Sequence, residues 1–184
     1  MKIGYMPLLA FLIIFLMPTI SSAQQTAELD LENTIYLELE TGRVVIKLLP
    51  EVAPNHVARI KKLSREKFYD GLKFHRVIEG FMAQTGDPRG TGEGIDYETL
   101  DAEFSDTPHY KGMVSMARTD DPNSAGTQFF ICLAYSPHLD GLYSVWGEVV
   151  AGMRYVDKIK IGEYPTLTDP DIIVTMRVAA DVEE

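Results

Sequence analysis

Phe74-His75-Arg76-Val77-Ile78-Glu79-Gly80-Phe81-Met82-Ala83-Gln84-Thr85-Gly86-Asp87 carries the strongest signal in this 184-residue chain. Two short runs, Phe74 to Ile78 and Phe81 to Gln84, meet at Gly80 as two strands joined by a glycine turn would. Alternate side chains of a strand share a face, so Phe74, Arg76 and Ile78 are expected together. An arginine between two large apolar neighbours is costly to bury unless it is paired or functional, and its planar five-donor head suits a cleft. The plainer alternative is a structural arginine pinned by a carboxylate such as Glu79 or Glu103. Phe81, Met82, Phe130 and Leu139 are read as core first and pocket second, as apolar strand residues are.

Upstream, Ile35, Leu37 and Leu39 alternate with Tyr36, Glu38 and Glu40, the chain turns at Thr41-Gly42, and Val44, Ile46 and Leu48 resume the pattern. A period of two on both sides of a glycine turn predicts a β-hairpin. Ala53, Val57, Ile60 and Leu63 then recur every three or four residues, with Arg59, Lys61, Lys62 and Arg65 on the other side. This predicts one amphipathic helix, begun near Pro54 and stopped by Asp70-Gly71. Residues 87–111, rich in glycine, aspartate and proline, read as an extended loop. Met113 to Ala117, Phe129 to Ala134 and Tyr143 to Val150 read as buried strands, Met153 to Ile159 as a second short helix, and Ile172 to Val178 as a last strand. Many short strands with two helices predict a mainly β fold, a closed or nearly closed antiparallel barrel with helices on its open ends.

Composition removes several classes of function. Hydrophobic, aromatic and charged contents of 46%, 10% and 24% are those of an ordinary globular domain. The 27 acidic against 17 basic residues give a net charge of -10, which sets the overall field against nucleic acid. With Cys132 as the one cysteine, neither an intramolecular disulfide nor Cys-x-x-Cys chemistry can form, and its apolar run predicts a buried, inert thiol. Gly90, Gly92 and Gly94 lack the Gly-Lys-Ser/Thr of a phosphate loop. His56, His75, His109 and His138 lack metal-ligand spacing, so no metal site is expected. Ser115 and Ser124 lack the setting of a hydrolase nucleophile.

The N-terminus differs from the rest. Lys2 precedes an uncharged run from Met6 to Ile20, followed by Ser21-Ser22-Ala23. The run is shorter than the roughly 20 residues of a membrane-spanning helix and carries Pro7 and Pro18. This is the layout of a signal peptide, residues 1–23, cleaved between Ala23 and Gln24. The expected product is an exported, periplasmic or secreted domain, still more acidic without Lys2, with no membrane span after cleavage and a short extension at 24–33.

The stretch from Tyr69 to Gly86 resembles the signature segment of the cyclophilin peptidyl-prolyl isomerases, with Phe-His-Arg, Gly-Phe-Met and Gln-x-Gly in order. Two further segments agree: Ser115-Met116-Ala117-Arg118 through Asn123 to Ile131, and His138-Leu139-Asp140-Gly141 through Val145-Trp146-Gly147. The resemblance covers Thr34 to Val178, placing an isomerase domain at 34–184. It implies a closed eight-stranded antiparallel β-barrel capped by two α-helices, with the groove on its outside. It also implies a catalytic set of Arg76, Phe81 and Gln84. Met82, Phe130 and Leu139 would complete the proline pocket with Phe81, while Gln128 would line the groove. Ala117 and Arg118 would meet the substrate backbone, and His138 and Tyr143 would flank the pocket. His75 stays structural.

Arg118-Thr119 stand where eukaryotic members usually carry Asn-Ala, and the Asp120-Asp121-Pro122 turn has one extra residue. His138 stands in place of tryptophan and Tyr143 in place of histidine, departures that bear on drug sensitivity and substrate preference. Weak binding of cyclosporin is the corresponding expectation. The implied activity is rotation of X-Pro bonds in exported polypeptides, which calls for no cofactor. The alternative is a proline-binding or chaperone module that has lost catalysis, against which Arg76, Phe81, Gln84 and Phe130 stand.

Overall fold

The alternating segment at the start of the domain forms β1 (Thr34–Leu39), paired with β2 (Gly42–Leu48) in register from Thr34 opposite Lys47 to Leu39 opposite Gly42. The computed structural model describes Met1, residues 30–94 and residues 97–183. The expected leader beyond Met1, its cleavage point and residues 24–29 lie outside the described residues. Seven further strands follow: β3 (Arg76–Ile78), β4 (Met82–Thr85), β5 (Met113–Met116), β6 (Phe129–Cys132), β7 (Val145–Ala151), β8 (Gly162–Glu163) and β9 (Thr175–Val178). All pairings are antiparallel, in the order β8-β3-β4-β6-β5-β7-β2-β1-β9.

The expected closed eight-stranded barrel is corrected: among the described residues nine strands form one curled sheet, a half-barrel whose edges β8 and β9 do not pair. The chain between them, 164–174, contains Pro165 and Pro170, which have no N–H for a ladder. Beyond Pro170 it runs beside the chain ahead of β3, where Phe74 N–H donates to Asp171 O and Ile173 N–H to Leu72 O, both 2.9 Å, around an isolated antiparallel bridge of Lys73 with Ile172. The last strand begins at Thr175 rather than Ile172 because Ile172 and Ile173 pair with Lys73 and Leu72, ahead of β3.

Alternation sorts the side chains onto two faces. Val77, Ala83, Val114, Met116, Phe129, Ile131 and Trp146 turn inward to join Ile35, Leu37, Ile46 and Met176 in the main core. Met82, Met113, Phe130, Cys132, Leu139 and Val145 form a second cluster on the outside. Being covered on both faces is why β5 and β6 read as continuous apolar runs. One expectation fails here. Phe74 precedes β3 and packs into the main core with Val77, while Arg76 and Ile78 face outward.

Helix α1 (Pro54–Arg65) opens with proline, whose missing N–H would have had no intrahelical partner. The carboxylate of Glu103, from the long loop, caps it by accepting the N–H groups of Asn55 and His56 at 3.1 and 3.0 Å. Arg59, expected on the polar side, is buried, and its Nη1 donates to the Glu98 carbonyl at 2.7 Å. The side chain's long stem and forked head let it cross the helix flank to carbonyls that would otherwise be short of donors. Helix α2 runs only from Met153 to Val156, and a turn carries the chain on to Ile159. Residues 87–111 are a loop where described, joined to the segment ahead of β6 by the isolated bridge of Leu100 with Ala125.

Candidate active site

One cross-strand row runs over the outer face. Glu163 of β8 stands opposite Arg76 of β3, Arg76 opposite Gln84 of β4, Gln84 opposite Phe130 of β6, and Phe130 opposite Ser115 of β5. A slip of one residue in any pairing would turn that strand's contribution to the other face. The β3-β4 register is set by the Glu79-Gly80 turn, in which Gly80 takes φ +66 and Phe81 N–H donates to Ile78 O at 3.1 Å.

The row borders a pocket of about 110 Å³ lined by Arg76, Phe81, Met82, Gln84, Ala117, Arg118, Phe130, Leu139 and Tyr143. Nine of the eleven residues singled out from sequence therefore share one cavity, although they come from separate strands and two turns. The other two adjoin it. The exposed ring of His138 lies against Phe81, centroids 5.2 Å apart, and Gln128 accepts from Gln84 Nε2 at 2.9 Å. Gln128 in turn donates to Gly92 O at 3.2 Å, which carries the polar chain into a neighbouring recess of about 340 Å³. Arg118 closes one side, its guanidinium 4.6 Å from the Tyr143 ring centroid and donating to the carbonyls of Leu142 and Thr119. Ala117 N–H is committed to Gln128 O at 2.9 Å.

Arg76 is half-buried, and its partner is neither Glu79 nor Glu103. Nε donates to Glu163 Oε2 at 3.3 Å and Nη1 to Gln84 Oε1 at 3.5 Å. Glu103 is instead taken up by Asn55 and His56, whose Nδ1 lies 2.6 Å from Oε2.

Behind Phe130 lies a polar triplet, with His109 and Ser115 buried and Asp140 partly exposed. His109 stacks on the Phe130 ring at 6.4 Å and meets Tyr143 edge-on, while its Nδ1 lies 2.9 Å from Asp140 Oδ1 and its Nε2 2.9 Å from Ser115 Oγ. An ionised carboxylate only accepts, so Nδ1 carries the proton and the Ser115 hydroxyl donates to Nε2. The order serine, histidine, aspartate is that of a hydrolytic triad, yet Ser115 is wholly buried and no acyl group can reach it. The triplet braces the pocket floor. Nothing in the local sequence pattern pointed to His109 and Asp140 together, nor to Glu163.

The glycine cluster is accounted for by Asp87, whose buried carboxylate accepts the N–H groups of Arg89, Thr91 and Gly92 at 3.1, 2.9 and 2.8 Å. Burial pushes this carboxyl up, but those donors outweigh it and hold its pKa below the ordinary value. Amides that could have cradled a phosphate are thus occupied by the chain itself. Cys132 is buried, and burial pushes its thiol up to about 12, as expected of an unreactive cysteine. His75 is buried, and among the described residues neither ring nitrogen has a hydrogen-bond partner, consistent with a packing role. Among the described residues no cluster of side chains has metal-binding spacing, and no helix is long and apolar enough to cross a membrane.

Residues 34–178 match the family described as cyclophilin type peptidyl-prolyl cis-trans isomerase/CLD. The chain belongs to this family. It is 46% identical over 185 residues to a probable peptidyl-prolyl cis-trans isomerase of Brucella suis biovar 1 (strain 1330), covering 92% of this chain and 94% of that protein. It is also 42% identical over 134 residues to peptidyl-prolyl cis-trans isomerase B of Bacillus subtilis (strain 168), covering 71% of this chain and 93% of the relative. Among solved structures, cyclophilin AquaCyp293 from Hirschia baltica superposes with a TM-score of 0.76 at 35% identity, over 84% of this chain and 77% of that one. A Cryptosporidium parvum cyclophilin crystallised with the dipeptide Ala-Pro gives 0.72 at 27% identity, over 79% and 98%. The cyclophilin domain thus spans the whole described sheet, and its activity is peptidyl-prolyl cis-trans isomerisation. A module without catalysis is not favoured.

Proposed function

We propose that this cyclophilin turns X-Pro bonds in exported, unfolded or flexible polypeptides, with Arg76, Phe81 and Gln84 as its catalytic residues. The observation that carries this reading is the position of one guanidinium, Arg76, at the rim of a small pocket walled by Phe81, Met82, Phe130 and Leu139. Rotation about a peptide bond faces a barrier of about 18–20 kcal/mol, because the nitrogen lone pair is delocalised into the carbonyl. The uncatalysed X-Pro step takes roughly tens to hundreds of seconds. No covalent bond forms and no proton moves, so the reaction itself requires neither metal nor cofactor.

The apolar walls hold the proline ring while the preceding carbonyl swings. A guanidinium directed at the prolyl nitrogen favours the pyramidal nitrogen of the twisted amide, whose lone pair has become an acceptor. It accelerates only by binding that state better than either planar isomer. Gln84, held by Gln128, steadies Arg76 from the groove side, and Ala117, Arg118, His138 and Tyr143 receive the flanking chain. The Ala-Pro dipeptide present with the Cryptosporidium relative supports a proline-containing ligand here as well. Export rests on Lys2, the uncharged run from Met6 to Ile20 and the Ser21-Ser22-Ala23 segment. Cyclosporin binds weakly, because His138 replaces the indole that would cover the ligand edge.

Cis-trans exchange of a short Ala-Pro peptide with the mature protein tests the assignment. Arg76→Lys keeps the charge without the fork, and Arg76→Ala loses both. Both variants stay folded, and exchange slows by roughly 10² or more, about 2.7 kcal/mol of transition-state stabilisation. Near-normal exchange in a folded Arg76→Ala protein would remove Arg76 from the mechanism.

A further inference from the structure

The head of Arg76 is held at two points. Glu163 takes its Nε edge and Gln84 its Nη1, and no other hydrogen bond to it occurs among the described residues. Gln84 lines the pocket. Glu163 does not, and it lies 87 residues from Arg76 in the chain. Yet its backbone is fixed from several sides. It stands opposite Arg76 in the β3-β8 register, and the next residue, Tyr164, donates its N–H to His75 O at 2.9 Å. The Glu163 carbonyl accepts from Thr166 N, Leu167 N and Thr166 Oγ1 at 2.8–2.9 Å. Immediately before it, Gly162 lets the Leu167 side chain approach so closely that a Cβ would lie 2.9 Å from it.

An ion pair between two freely moving surface side chains contributes little. A carboxylate mounted on a fixed backbone directly across from an arginine orients that arginine as well as attracting it. The geometry points to Glu163 as a positioning residue for the isomerase reaction: it fixes the Nε edge of Arg76 so that the remaining donors face the proline pocket. This rests on the role assigned to Arg76 above. Arg76 is half-exposed, and without that anchor its long side chain samples several rotamers, of which only some aim at a prolyl nitrogen. The carboxylate also has an opposing effect, because its negative charge damps the positive field of the guanidinium. Glutamine at 163 separates the two effects, since it keeps an acceptor for Nε and removes the charge.

The mature protein and its Glu163→Ala, Glu163→Gln, Arg76→Ala and double variants are compared by exchange of an Ala-Pro peptide, with kcat and KM separated, and by urea unfolding. In Glu163→Ala, kcat falls about threefold to tenfold while KM and the unfolding midpoint stay close to their original values. Glu163→Gln recovers most of that loss. The double variant is no slower than Arg76→Ala, because no guanidinium remains to be oriented. A Glu163→Ala kcat at or above the original overturns the positioning role, as does a double variant slowed by the product of the two single effects. A slow Arg76→Ala in those cases leaves the role of Arg76 itself intact. An Arg76→Ala protein that exchanges at nearly the original rate overturns both assignments together.

Discussion

The hydroxyl of Ser115 lies 2.9 Å from Nε2 of His109, and neither side chain has exposed surface. Burial, opposed in part by Asp140, holds the His109 pKa below its ordinary 6.5, and burial does the same to His75. A histidine whose pKa is lower folded than unfolded binds its proton first in the unfolded chain. The stability this contributes is whole above about pH 6.5 and is lost as pH falls through that value toward the folded pKa. The carboxyls of Asp87, Glu103 and Asp140 are also held down, but they act further into acid, below ordinary values of 3.8 and 4.5. Urea midpoints should therefore drop between about pH 7.5 and 5.5, and drop less in His109→Gln. A midpoint unchanged over that interval would mean that neither histidine is kept neutral by the fold.

Gly86 ends β4 with φ +90, and a Cβ there would sit 2.4 Å from the Thr127 carbonyl. The close approach lets Thr127 Oγ1 donate to Gly86 O at 2.8 Å and holds the pocket strand β4 against the approach to β6. Gly86→Ala combines a left-handed backbone with a collision against main chain, and it should cost more than about 1 kcal/mol in urea unfolding. Gly126→Ala has open space around the new Cβ and should cost far less. Equal costs for the two would show that β4 shifts readily.

On the proposed reading cyclosporin sensitivity should turn on His138, which is exposed and lies against Phe81. A tryptophan would add an indole donor and more apolar area, together worth about ten- to thirtyfold in affinity. The unmodified protein should keep its activity at drug concentrations that silence a tryptophan-bearing relative, and His138→Trp should regain part of the sensitivity. Identical inhibition of the two forms would take this position out of drug recognition.

Processing is read by mass. Protein recovered from an extracytoplasmic fraction should begin at Gln24 or within a residue or two of it. A full-length chain held in the membrane would contradict the leader.

Period-two alternation predicts the β1-β2 hairpin, and Pro54 with its apolar spacing predicts α1, because both patterns depend on neighbours a few residues apart. The ordered motifs around Arg76, Ser115 and His138, through their resemblance to those of the family, likewise point to nine residues that share the pocket. Three outcomes depended on the tertiary structure. The sheet stays open because the 164–174 segment, with Pro165 and Pro170, forms an isolated bridge of Ile172 with Lys73 rather than a strand ladder between the edges. Phe74 faces the core because β3 starts two residues later than the apolar pattern suggests. Arg76 pairs with Glu163, and Ser115 with His109 and Asp140, through strand register and turn placement. Arg76 and Glu163 lie 87 residues apart and His109 and Asp140 31 apart, and no local spacing encodes which of several carboxylates a folded sheet will bring to an arginine or a histidine.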